Sequence, residues 1–288
     1  MHIYSNPHIG YNIGNNKQHP NPINFGANPY SHLLEFSCND FFVNIKGYGK
    51  NKDWARIIID TADNAAYQMR KNNTSDSILQ KIAKGVKEAN KLSSDIRKRT
   101  HTGILRTERR GYGQVGQWKG LDLYTPVISK YKSYTQRFKQ VMKKPLENPY
   151  DDIELSKISP VNHFDYDVEI KHGSDYLVNN ALDRVGGKFF NLKKKYISKA
   201  ERITDKDLPD INAEVAEIRW IMAHSMPWER GSDAISNVFM RSLYKSMGIK
   251  TYPLKKGVSL DLEAFCTPLK EYKQNFGTYF EQPPHVVE

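Results

Sequence analysis

Thiols are nearly missing from this chain: Cys38 and Cys266 are its only cysteines in 288 residues. They lie far apart, without CxxC spacing, so a disulfide framework and a structural zinc site are both disfavoured. No His/Asp/Glu cluster has metal-ligand spacing, and no metal is expected. No apolar run approaches the eighteen or so residues that span a bilayer, so no transmembrane segment is expected. The start, Met1-His2-Ile3-Tyr4-Ser5, lacks the cationic and apolar parts of a secretory signal. Acidic residues are also in deficit, with 32 Asp and Glu against 43 Lys and Arg and a formal charge of +11. That balance asks for phosphates, an acidic target, a membrane surface or nucleic acid.

What remains is a polar-leaning globular composition, 39% apolar and 26% charged, long enough for one domain with an insertion or for two small domains. Residues 1–32, rich in Asn, Gly, Pro and His, read as a flexible tail. The densest pattern lies between Ile211 and Lys250. Ile211, Val215, Ile218 and Met222 place one apolar stripe on a first helix, and Ile235, Val238, Phe239, Leu243 and Met247 do so on a second. Gly248 fits a left-handed C-cap. Pro227 predicts the end of the first helix near Met226, and Ser232 reads as the N-cap of the second. The corner would bring together helix N–H groups, a positive dipole end and Arg230. Those are the components of a phosphate or diphosphate site. Equally, a plain helix-loop-helix would use Trp228 as a core plug and Arg230 in a surface ion pair.

Elsewhere, Leu33–Phe36 and Phe41–Ile45 read as short runs, one or both extended. Helices are expected over 53–71, with Tyr67 near its end, and from about Ser75 to Arg99. A G-x-G-x-x-G at Gly111–Gly116 lacks the preceding strand of a dinucleotide site, so residues 100–124 read as a loop. Its Arg106, Arg109, Arg110, Tyr112 and Trp118 are candidates to face a phosphate-bearing ligand or an unpaired nucleic-acid strand. Thr125-Pro126 reads as N-cap and first position of a helix to Lys143. Pro145 to Pro160 reads as a linker. Strand periodicity follows at Phe164, Tyr166, Val168 and Ile170, then a short helix stopped by Gly186-Gly187. Lys188, Lys193, Lys194, Lys195 and Lys199 form a basic patch, either a solvated helix face or a docking surface. Ser259 caps a helix opening with Leu260-Asp261.

The stretch Ala223–Ser232, the helix to Gly248, and Gly257-Val258-Ser259-Leu260-Asp261-Leu262-Glu263-Ala264 together resemble the C-terminal signature of the AvrB family of type III effectors. Thinner similarity surrounds Tyr67 and Thr125. The resemblance implies a mainly α fold: a Fic/Doc-like (Fido) helical core over 33–144 and 207–281 with a small inserted α+β lobe at 145–206. Against a true Fic motif, Pro227, Trp228 and Gly231 occupy matching places, but the general-base His falls on Met226 and the final Arg on Ala234. A thioether takes no proton at neutral pH. His224, two residues earlier, is an accessory candidate, although a lone helical His more often satisfies a core hydrogen bond.

The resemblance further implies a secreted bacterial effector, acting in the host cytoplasm or at the membrane periphery. It would move a sugar from a nucleotide-diphospho-sugar, such as UDP- or dTDP-rhamnose, to a Ser or Thr of a host protein, with no other cofactor. Arg230, Gly231 and Ser232 would hold the diphosphate and Tyr67 the nucleotide. Asp261 would be the base or orient the sugar, and Thr125 would place the acceptor. His2 stands where several family members carry a myristoylated glycine, so that anchor does not carry over. The alternatives are Fic-like nucleotidyl transfer with a replaced base and a non-catalytic host-protein-binding effector. A nucleic-acid partner rests only on charge and aromatics.

Overall fold

A computed structural model describes residues 31–46, 49–109, 115–127, 133–161 and 167–287. Most of the expected tail, most of the G-x-G-x-x-G segment, and Phe164 and Tyr166 lie outside them. The protein is mainly helical, with a small antiparallel sheet. Helices α1 (Lys52–Arg70) and α2 (Ser75–Asn90) form a hairpin, capped at their starts by the Asn51 and Thr74 side chains. A short α3 (Ile96–His101) follows. Then come β1 (Val115–Trp118), α4 (Tyr134–Lys143), β2 (Lys157–Ser159), β3 (Val168–Lys171), α5 (Val178–Lys195), α6 (Leu208–Ser225), α7 (Ser232–Ser246), β4 (Ile249–Lys250), α8 (Leu260–Cys266), α9 (Leu269–Asn275) and β5 (His285–Val286).

The α6–α7 pair is the centre of this arrangement. α6 packs against α5, α7, α8 and α9, while α7 packs against α1 and α2. α6 carries more than one apolar stripe: from Val215 to Ser225 every residue is buried, Arg219 and His224 included. A helix enclosed on all sides must pair or hydrogen-bond each polar group it brings inside. β1 and β2 flank β3, with Gly116 opposite Ile170 and Ile158 also opposite Ile170. The sheet therefore draws strands from both sides of residue 145, and α5 packs on α6 and α2. Val168 and Ile170 face inward as their alternation predicts.

Several local expectations are corrected. No strand forms at 33–36 or within 41–45; Ser31–Leu34 and Cys38–Asp40 are single turns of 3-10 helix. The helix expected to reach Arg99 stops at Asn90. Asp95 accepts from the Arg97 and Lys98 N–H groups and starts α3, a side-chain alternative to continuing the helix. Among the described residues Thr125 does not cap α4, which begins at Tyr134 with Ser133 as its cap. The intervening 128–132 lie outside the described residues. Gly186 and Gly187 do not stop α5, which runs through both. At Gly186 a Cβ would lie 3.0 Å from Ser75 Oγ of α2, so the missing side chain permits close helix packing.

Candidate functional site

The corner between α6 and α7 is built from two left-handed residues. Met226 ends α6 at φ 39°, costly for a residue with a side chain, and Gly231 precedes α7 at φ 84°. A Cβ at Gly231 would lie 2.9 Å from Thr102 Cγ2, so glycine is required twice over. Backbone bonds zip the corner to residues 103–106: Arg106 N–H to Pro227 O (2.9 Å), Glu229 N–H to Ile104 O (2.9 Å) and Gly103 N–H to Arg230 O (3.2 Å). Gly231, not Ser232, is the N-cap of α7. Ser232 Oγ instead donates to Trp228 O (2.9 Å) and accepts from Trp228 N–H (3.0 Å), closing the turn on itself.

Beside this corner lies a cleft of about 1430 Å³. Its lining includes Arg230, the opening turn of α7 and, from α8, Asp261. The Arg230 guanidinium is exposed at the edge and makes no hydrogen bond or ion pair among the described residues. The first N–H groups of a helix lack intrahelical acceptors, and here that turn borders the cleft. Trp118 and Tyr124, which meet edge to face at 6.0 Å, share the lining with Trp54 and Trp228. Among the described residues no group of three or more potential metal ligands occurs.

The polar centre has a member that sequence reasoning missed. Arg219, 1% exposed, donates from Nη1 to Asp261 Oδ1 at 2.6 Å and from Nη2 to Asp233 Oδ1. Asp261 is as buried as Arg219, and burial raises its carboxyl to about 6, opposed by the arginine. The same arginine offsets Asp233, an acid in the first turn of α7 that would otherwise repel an anion there. One charged residue within the apolar run Ile218–Ala223 was the available signal for Arg219.

His224 is a core residue and does not border the cleft. Ser156 N–H donates to its Nδ1 (3.0 Å), which places the proton on Nε2 for donation to Ala264 O (3.2 Å). Ser156 Oγ donates to His224 O (3.1 Å) and lies 3.0 Å from His172 Nδ1. With its one proton spent, Ser156 accepts from His172 Nδ1–H, leaving the His172 Nε2 lone pair towards Gly116. Both residues line the cleft, and a Cβ at Gly116 would sit 3.5 Å from that nitrogen. Burial pushes both imidazoles down to about 3, Arg106 adding to the effect at His172, so both are neutral. His172 is a second residue that the sequence did not reveal.

Two other candidates lie outside the lining. Tyr67 is half-buried near the end of α1, beneath the Lys71 ammonium at 5.0 Å. Thr125 N–H donates to Gly257 O (2.9 Å), and a Cβ at Gly257 would come within 2.8 Å of Thr125 Oγ1. Its chain neighbour Tyr124 does line the cleft.

The loop arginines divide. Arg106 is fully buried and donates to Met226 O (2.8 Å), Gly173 O (2.8 Å) and Ser225 O, capping α6 rather than facing a ligand. Arg109 lies 3.6 Å from Glu229, which also accepts from His101 Nδ1 at 2.8 Å. Arg110 and Tyr112 fall outside the described residues. The lysine patch is partly spent: Lys188 pairs with Glu214 and Glu217, Lys195 with Asp210, and Lys193 donates to backbone carbonyls at Lys71 and Asn73.

Residues 169–283 match the AvrB_AvrC family of avirulence proteins. The matched segment runs from β3 through α9 and contains His172, Arg219, Arg230, Asp233 and Asp261. The match covers 115 of the 288 residues and is a likeness to that family over this segment. No curated protein matches the chain. No helix among the described residues is long and apolar enough to cross a membrane.

Proposed function

We propose that this AvrB-like chain transfers a sugar from a nucleotide-diphospho-sugar to a hydroxyl of a host protein, with UDP- or dTDP-rhamnose as the donor class and a Fido-like core as its scaffold. The observation that carries the reading is one cleft holding an exposed guanidinium, the opening turn of a helix, and a buried carboxylate raised to about 6 by its surroundings. Arg230 and the N–H groups at Gly231 and Ser232 would bind the diphosphate and stabilise it on departure. Asp261, ionised above pH 6, would accept the acceptor hydroxyl's proton. The bond from the anomeric carbon to the β-phosphate oxygen breaks, the bond from that carbon to the acceptor oxygen forms, and a nucleoside diphosphate leaves. At about 1430 Å³ the cleft exceeds the roughly 300–1,000 Å³ of a small-ligand pocket. The surplus gives an acceptor segment room beside the donor.

The test is intact-mass analysis of host-extract proteins after incubation with UDP-rhamnose, dTDP-rhamnose or ATP. A deoxyhexose increment with wild type, lost in Asp261→Asn, supports the reading. A nucleotide increment from ATP replaces it with nucleotidyl transfer. No increment with any donor leaves a binding effector.

A further inference from the structure

A feature outside the donor site is the corner between α2 and α3. It carries Leu92 at 49% exposure and Ile96 at 63%, four residues apart, and α3 buries none of its residues. Both are among the exposed large apolar side chains of the described residues, the kind of surface that marks an interaction site where it clusters. Between and beside them stand Arg97 and Lys98, whose side chains make no hydrogen bond or ion pair among the described residues. Leu92, Arg97 and Lys98 all line the cleft, as does Val115 of β1, 50% exposed. Asp95 is committed to the α3 N–H groups; against the opposing effect of desolvation, its bonds from the Arg97 and Lys98 N–H groups, then the Lys98 and Arg230 charges, hold its carboxyl below the usual range. The rim is thus cationic and apolar at once.

We infer that this rim docks the acceptor protein through a segment combining acidic and aliphatic residues, which presents its hydroxyl to Asp261. The inference rests on the transferase reading and adds the acceptor's chemistry. Charge complementarity chooses the occupant: exposed Arg97 and Lys98 select carboxylates, while Leu92, Ile96 and Val115 offer contacts that a phosphate backbone would not use.

The experiment uses the full chain and three fluorescent probes: a Ser-containing peptide alternating Glu and Leu, the same peptide with Lys for Glu, and a single-stranded RNA of equal length. Anisotropy should show binding of the Glu/Leu peptide, weakened at least tenfold in R97E/K98E and in Leu92→Ser with Ile96→Ser, and weakened by salt. The Lys peptide should not bind. Equal binding of both peptides, unchanged binding by the variants, or preference for RNA overturns the proposal. The substituted side chains are exposed, so the fold should persist, and an unchanged melting curve checks it. UDP-rhamnose titration separates the two readings. Rim variants should bind the nucleotide-sugar as wild type does, whereas its failure to bind wild type removes the donor assignment and leaves the peptide result standing.

Discussion

At the scale of single residues, the interior holds more ionisable chemistry than a fold of this size needs. Two neutral histidines lie at and beneath the cleft, with the His172 proton donated to Ser156 Oγ and the His224 proton to Ala264 O. Their folded values near 3 lie below the ordinary 6.5, so acid favours the unfolded chain. The stability they contribute is complete above about pH 6.5 and is lost progressively as pH falls towards 3, by about 1.4 kcal/mol per pH unit for each. Asp261 acts in the opposite sense: its raised value makes it less unfavourable as pH falls from 6 towards 3.8. His172→Asn isolates one contribution. Between pH 6 and 5, urea unfolding should show a stability slope shallower than wild type by about 1.4 kcal/mol per unit. Equal slopes would mean that His172 is already charged or exposed.

At the scale of elements, the sequence was most legible where one residue type leaves the chain one choice. Gly248 adopts φ 75° after α7, Ser259 accepts the Leu262 N–H (3.4 Å) at the start of α8, and α6 ends at Ser225, before Met226-Pro227. It was least legible where a tertiary contact overrules local preference. Gly186-Gly187 read as a stop, yet α5 continues because burying Val185, Phe189 and Leu192 outweighs about 1 kcal/mol per helical glycine. The two glycines are not equivalent. At Gly187 an added Cβ meets nothing within 4 Å, whereas at Gly186 it approaches Ser75 Oγ. Gly187→Ala should raise the unfolding free energy by about 0.5–1 kcal/mol. Gly186→Ala should gain less or lose. Denaturant titration of both variants decides, and equal gains would contradict the close α2–α5 packing.

At the scale of the whole molecule, one cleft gathers groups from distant parts of the chain, and occupancy should register as global stability. A ligand at 100 times its Kd adds about 2.7 kcal/mol to the folded state. Saturating UDP-rhamnose should therefore raise the melting temperature of wild type by several degrees. Arg230→Ala, at an exposed position, should melt like wild type without ligand and show little of the shift. An equal shift in the variant would place the nucleotide-sugar elsewhere. The sequence by itself determined the end of α6 at Met226-Pro227, the α8 start and the basic excess, because proline geometry, a serine cap and net charge depend on neighbours in the chain. Only tertiary structure decided that Arg219 grips Asp261 across 42 positions, that His224 faces the core, that Arg106 caps a helix instead of a ligand, and that Tyr67 stands outside the cleft. The reason is physical. A charge's role depends on what surrounds it once water is excluded, and those surroundings exist only after α6 has been enclosed.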